Sequence, residues 1–160
     1  MFQELSHTLK ISKEGFNINE KIRNVVNDMQ SNEDDKVEII FVEPAEDAIV
    51  VEADTIRIYE VISNLLTNAI KSTKKGRSSS SDSGSDEVIV SIKDRGTGID
   101  PDLQDRLFTK FATNSDTGSG LGLFISKGII EAHGGTIWAQ NNTDGKGATF
   151  AFSLPLSEQQ

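Results

Sequence analysis

Residues 54–72 read DTIRIYEVISNLLTNAIKS, and this stretch decides how the chain folds. Asp54 is a strong helix N-cap, and no Gly or Pro interrupts the run to Ser72. At about 100° per residue, Ile58, Ile62, Leu65, Leu66 and Ala69 gather on one side. Arg57, Glu60, Asn64, Asn68 and Lys71 fall on a narrow opposite arc. The apolar arc must pack on a sheet. The polar arc is unusual, because Asn is a poor helix former and two of them stand at i and i+4.

An amide oxygen is a hard neutral ligand suited to Mg²⁺, which takes much of its shell from water and substrate phosphates. Lys71, one turn beyond Asn68, is placed to reach the same phosphates. Taken alone, the arc is equally compatible with an ordinary solvated helix face.

Working outward, a helix is expected from Phe16 to about Gln30, capped by Asn17 or Asn19, with Ile22, Val25, Val26 and Met29 at helical spacing. Residues 1–14 look helical and polar. Val37–Val42 and Ile49–Ala53 are β-branched runs that read as strands, with Pro44 in a turn between them. On the other side, residues 74–86 are rich in Ser, Asp and Gly, which predicts a loop. Glu87–Asp94 reads as a strand. Pro101–Leu107 reads as a short helix with Pro at its start. Gly120–Ala132 reads as a helix ended by Gly134 and Gly135. Strands follow at Thr136–Gln140 and Ala148–Leu154, joined by the Asp144–Gly147 turn. Strands come in groups with helices between them. The expected class is α+β: a two-layer sandwich, with a mixed sheet carrying helices on one face.

At 160 residues, with 36% apolar residues and no internal repeat, the chain suits one domain. No apolar run is long enough to span a membrane, and the first residues lack the pattern of a signal peptide. The absence of cysteine excludes disulfides and thiolate metal sites and suits a reducing cytoplasm. A net charge of −9 disfavours nucleic acid as a partner. An acidic chain binds nucleotide phosphates only through local cations, backbone N–H groups and a divalent ion.

Two glycine turns offer such groups. Asp94-Arg95-Gly96-Thr97-Gly98-Ile99 follows directly on a strand. Its glycines allow close approach of backbone to a ligand, Asp94 is an acceptor for an exocyclic amine, and Ile99 offers an apolar surface to a flat base. Gly118-Ser119-Gly120-Leu121-Gly122-Leu123 runs from a polar loop into a helix N-terminus, where free N–H groups favour anions. It is neither a dinucleotide fingerprint nor a P-loop: no strand precedes it and no Gly-Lys-Ser/Thr follows. Between the two turns lie Phe108 and Phe111, at a spacing that anchors a loop base, and Lys110, which is placed to point at phosphate.

The joint order of these pieces resembles the catalytic ATP-binding domain of sensor histidine kinases, within the wider superfamily of gyrase, heat-shock chaperone and mismatch-repair ATPases. Asn64–Lys71 resembles its N box, Asp94–Ile99 its G1 box, Leu107–Phe111 its F box and Gly118–Leu123 its G2 box. Ile130–Gly135 and Gly147–Phe150 resemble the segments that follow. The likeness spans residues 16–156. It implies a Bergerat-type fold, with Asn68 on Mg²⁺, Asn64 and Lys71 beside it in the catalytic set, and Asp94 reading adenine. Gly96, Gly98, Ile99, Lys110, Phe111, Gly118, Ser119, Gly120, Leu121, Gly122, Leu123 and Thr149 complete the implied ATP site, with residues 112–118 as its lid. ADP would be the product.

There are departures. Thr113 stands where many relatives carry Arg, and the Ser78–Ser81 run stands where they have an apolar strand, so a weak or missing edge strand is expected there. Leu5-Ser6-His7-Thr8-Leu9-Lys10 is a poor phosphoacceptor box, since the helical hairpin bearing such a histidine needs roughly fifty residues ahead of the ATP domain. Residues 1–14 are therefore read as the tail of that hairpin's second helix, 15–157 as the catalytic domain and 158–160 as a tail. The implied partners are the hairpin of the same parent kinase and a response regulator, with no nucleic acid and no membrane contact from this segment. A cytoplasmic location is expected. His133 is read as a helix C-terminal residue. Two alternatives stand beside this reading: a slow ATP hydrolase, for which Asn64 occupies the place of the usual Glu base and Glu60 lies a further turn back, and a non-catalytic nucleotide sensor.

Overall fold

The computed structural model describes residues 10–31, 39–42, 49–72, 77–83, 87–94, 96, 98–110, 121–143 and 147–156. Along the chain these form β1 (Glu14–Asn17), α1 (Ile18–Ser31), β2 (Ile39–Val42), β3 (Val50–Ala53), α2 (Thr55–Ser72), β4 (Arg77–Ser83), β5 (Glu87–Asp94), a 3₁₀ turn (Gln104–Arg106), α3 (Gly122–Ala132), β6 (Ile137–Asn141) and β7 (Ala148–Pro155). Five strands make one sheet in the order β2-β4-β5-β7-β6. β2 and β4 run parallel and the other pairs antiparallel, so the sheet is mixed. β1 and β3 form a separate two-stranded ribbon. The helices pack together against the sheet, giving the expected α+β sandwich.

The core follows the sequence pattern. Ile58, Ile62, Leu65, Leu66 and Ala69 of α2 are all buried, as are Ile22, Val25 and Val26 of α1. Alternation in β5 sends Val88, Val90, Ile92 and Asp94 into the same layer. Each fully buried Ile or Leu contributes about 1.5–3 kcal/mol relative to exposure. Two caps settle helix starts. Asn17 Oδ1 accepts the Asn19 N–H at 3.0 Å, so Asn17 caps α1. Asp54 Oδ1 accepts the Ile56 and Arg57 N–H groups at 3.1 and 3.2 Å, capping α2.

The serine run departs from expectation. Arg77–Ser83 is a strand, and it lies inside the sheet between β2 and β5. Composition misleads here because a ladder is made by backbone N–H and C=O groups, which serine carries like any other residue. Two flanking strands can hold a segment whose own strand propensity is modest.

Other differences are smaller. Lys10–Lys13 are in neither helix nor strand and Glu14 opens β1, so a helix over 1–14 does not extend through these residues. β1 has a partner in β3 that no local pattern signals. The Pro101 segment makes turns and a single 3₁₀ turn instead of an α-helix. α3 begins at Gly122. Pro44 and residues 144–146 lie outside the described residues.

The crossing of α3 into β6 explains two glycines. Gly134 ends α3 at φ +81°, and a Cβ on Gly135 would sit 1.9 Å from the Ser153 carbonyl oxygen. Only glycine lets the two backbones approach this closely.

Candidate functional site

The last residue of β5 is Asp94, 3% exposed. Its Oδ1 accepts the Gly96 N–H at 2.9 Å and the Ala148 N–H at 3.1 Å. These two donors fix the carboxylate plane, and Oδ2 remains as an acceptor. The turn that follows passes through Gly98 at φ +80°, in the left-handed region, and reaches Ile99, which is buried. A hydrogen-bond acceptor and an apolar side chain thus stand together at the end of one strand, the chemistry that a purine with an exocyclic amine requires.

The Asn helix packs between this strand and α3. The Asn64 Nδ2 donates to the Gly122 carbonyl at 3.4 Å and to the Ser126 Oγ at 3.2 Å, so Asn64 meets the second glycine turn directly. A Cβ on Gly122 would lie 3.8 Å from the Asn64 Cγ, an ordinary contact, so the two elements meet here without requiring glycine. Asn68 is half-buried one turn further on, about 6 Å along the axis. Among the described residues its amide takes no hydrogen bond, so its oxygen is a neutral donor fit for a hard divalent cation that brings phosphate oxygens with it. No side chain caps the start of α3 at Leu121, which suits an anion at that helix end. Glu60 pairs with Arg57 at 3.6 Å on a partly exposed surface.

The other sequence-derived residues fall into four groups. Leu121, Gly122 and Leu123 are half-buried at the start of α3. Lys110 is half-buried and already engaged within the fold. Phe111, Thr113, Gly118, Ser119 and Gly120 lie outside the described residues, as do His7 and the side chain of Lys71. Thr149 sits differently from the others. Register pairs it with Lys93, and paired residues share a face, so Thr149 stands on the sheet face opposite Asp94. Its hydroxyl donates to the Asn142 Oδ1 at 2.6 Å.

Two residues of consequence carried no signal of their own in the sequence, and a third does more than its signal implied. Asn141 and Asn142 grip the first glycine turn: the Asn141 Oδ1 accepts the Ile99 N–H at 2.7 Å, and the Asn142 Nδ2 donates to the Asp94 carbonyl at 2.9 Å. Polar residues ahead of a glycine turn read only as loop, so nothing local marks them. His133 ends α3, as expected, and also joins two helices. Its Nε2 accepts the Asp54 N–H at 3.0 Å, and its Nδ1 donates to the Ile129 carbonyl at 2.8 Å. A backbone N–H can only donate and a carbonyl only accept, so these partners fix the neutral Nδ1–H tautomer. Beside it, burial opposes ionisation of Asp54. The N–H groups of Ser12, Arg57 and Ile56 and the Arg57 charge outweigh that and hold the carboxyl below its usual value of 3.8.

A sequence profile described as "Histidine kinase-, DNA gyrase B-, and HSP90-like ATPase" matches residues 53–158. The chain belongs to this family. Among curated relatives of this ATPase domain, the sensor protein FixL of Bradyrhizobium diazoefficiens is 39% identical over 117 residues, 70% of this chain and 23% of FixL. Among solved structures, the catalytic domain of histidine kinase ThkA superposes with a TM-score of 0.81 at 34% identity, covering 91% of this chain and 96% of that one. Full-length ShkA, solved in complex with AMPPNP, gives a TM-score of 0.85 at 28% identity, covering 98% of this chain and 34% of ShkA. ThkA has also been solved in complex with the response regulator protein TrrA, and that structure covers 99% of this chain at 31% identity, with 46% of that chain matched and a TM-score of 0.80. The chain spans about a quarter of the length of the curated relatives it matches. It is an ATP-binding domain of the kind that sensor histidine kinases carry. Among the described residues no helix is long and apolar enough to cross a membrane.

Proposed function

We propose that this chain binds Mg-ATP and presents the γ-phosphoryl group to a histidine on a helical hairpin of the same parent protein. Residues 15–157 form the catalytic unit, and residues 1–14 are the end of the segment joining it to that hairpin. A response regulator then takes the phosphoryl group onward, by analogy with the ThkA–TrrA complex.

The carrying observation is the setting of Asn64. A hydrolase of this superfamily needs a carboxylate base four residues ahead of its metal Asn. Here that position holds an amide, which takes no proton, and its NH₂ is committed to Gly122 and Ser126. Glu60, the nearest carboxylate on that arc, is paired with Arg57. Among the described residues of this arc, water near the γ-phosphate therefore has no general base, and the phosphoryl group waits for a better nucleophile.

The residues divide the work simply. Asp94 accepts a hydrogen bond from the adenine amine, while Ile99 covers the base. Gly96 and Gly98 let the backbone turn beside it. Gly118, Ser119, Gly120, Leu121, Gly122 and Leu123 bring N–H groups to the phosphates, with Lys71, Lys110 and Phe111 flanking them. Asn64 and Asn68 form the metal side, and Asn68 is the ligand to Mg²⁺. Mg²⁺ held there would neutralise charge on the transferring phosphate. In transfer, an N–P bond forms to the imidazole as the bond from the γ-phosphorus to the bridging oxygen breaks, and ADP leaves with that electron pair.

The test adds the hairpin domain in trans with γ-labelled ATP. Acid-labile phosphate on histidine is expected, together with very slow ATP hydrolysis by the chain alone. Rapid hydrolysis abolished by Glu60→Gln, or ATP binding with no transfer, refutes the proposal.

A further inference from the structure

The first glycine turn has little shape of its own, because Gly96 and Gly98 impose few backbone preferences. Its shape comes from the end of β6. The Asn141 side chain takes both polar groups of Ile99, accepting its N–H at 2.7 Å and donating to its carbonyl at 3.4 Å. That is the pair of bonds a neighbouring strand would make, supplied by one amide. Asn142 holds the opposite end of the turn. Its Nδ2 donates to the Asp94 carbonyl at 2.9 Å, and its Oδ1 accepts the Thr149 hydroxyl at 2.6 Å. Its own N–H closes the β6–β7 connection on the Gly147 carbonyl at 3.0 Å.

These bonds leave one amide orientation. A carbonyl cannot donate, so the NH₂ of Asn142 must face Asp94 and its oxygen must face Thr149. With the Asp94 carbonyl held by Asn142, and its Oδ1 held by Gly96 and Ala148, both the backbone and the carboxylate of Asp94 are fixed from separate directions.

We propose that Asn142 is a positioning residue that aims the free oxygen of Asp94, so that Asn142 and its anchor Thr149 set the preference of this site for a purine bearing an exocyclic amine. This rests on reading Asp94 as the acceptor for the base. The carboxylate only accepts, so a base that presents a carbonyl at the same place meets a second acceptor and is rejected. On this reading Asn142 acts through its bond to the Asp94 carbonyl and not on the nucleotide itself.

A merely structural role for Asn142 would weaken every nucleotide alike. A positioning role removes the preference for the amine and leaves the rest of the binding energy in place. Calorimetric titration of this chain with ATP and with inosine triphosphate, which carries a carbonyl where adenine has its amine, separates the two. For the unmodified chain, ATP binds about tenfold tighter or more, the worth of a charge-assisted hydrogen bond. Asp94→Asn abolishes that ratio.

Asn142→Asp keeps the shape and the acceptor for Thr149 but removes the donor to Asp94. It is expected to bring the ratio within about threefold while inosine triphosphate affinity stays within about twofold. Thr149→Val, which frees Asn142 to rotate, gives an intermediate ratio and carries the test should Asn142→Asp not fold. A ratio abolished by Asp94→Asn but kept in Asn142→Asp and Thr149→Val overturns this inference alone, as does an equal loss for both nucleotides. An unmodified chain with no preference for ATP overturns the role of Asp94, and this inference with it.

Discussion

Replacing His133 by Ala tests whether one imidazole joins two helices. The ring is 4% exposed and lies between the end of α3 and the start of α2. Removing it leaves the Asp54 N–H without its acceptor and takes from the Ile129 carbonyl its side-chain donor. The backbone cannot repair the second loss, because the His133 N–H bonds to Ile130 instead of Ile129. Each stranded group costs about 1–3 kcal/mol, and the space left by the ring adds a packing loss. The expected total is about 3–5 kcal/mol, a large share of the roughly 5–15 kcal/mol that holds a domain together. For a domain of this size the melting temperature should fall by about 6–20 °C. Urea unfolding of the nucleotide-free chain, followed by tryptophan fluorescence and circular dichroism, gives the direct value. His133→Gln, which keeps polar atoms in the cavity, should recover part of the loss. A cost below about 1 kcal/mol for the Ala variant would mean that water reaches both groups, and would refute the reasoning.

Three further outcomes follow from the same structure. The Asp54 carboxyl is held below 3.8 in the folded chain, so its contribution is complete above that value and drains away as pH falls through the lowered one. Urea titrations across the acid range should therefore lose part of their pH slope in Asp54→Ala. Gly98→Ala places a Cβ 2.8 Å from the Asn141 Oδ1 at φ +80°. The left-handed backbone alone costs about 1–2 kcal/mol, and ATP binding measured by calorimetry should weaken by about tenfold or more. Gly135→Ala brings a Cβ to 1.9 Å from a backbone carbonyl that has little room to retreat. Little soluble folded protein is expected by circular dichroism, and a native-like melt would count against the close crossing of β6 on β7.

How far the sequence reached depended on where each signal lay. The helix over residues 54–72 was legible because cap, period and length agree locally, and β5 was legible because Val88, Ile89, Val90 and Ile92 concentrate β-branched residues in its middle. β4 was not, since its strand character comes from β2 and β5 and its serines say nothing of it. β1 was hidden for the same reason: its partner β3 lies beyond the whole of α1. Within the site, Asp94, the Asn pair and the glycines stand out by residue type and spacing. Asn141 and Asn142 do not, because their importance is a matter of what β6 ends beside. Thr149 shows another limit: the family resemblance named it, and the resemblance says nothing of the strand alternation that sets it on the face opposite Asp94.

The contacts between α2 and α3 have a thermodynamic consequence. The two helices are joined at one end by His133 on Asp54 and at the other by Asn64 on Gly122 and Ser126. These bonds tie the Asn face of α2 to the start of α3, so their spacing is set by the fold and not by a nucleotide. A ligand docking on prearranged groups loses little to the ordering of side chains. In a chain of net charge −9, prearrangement is a route to phosphate affinity that needs no added positive charge.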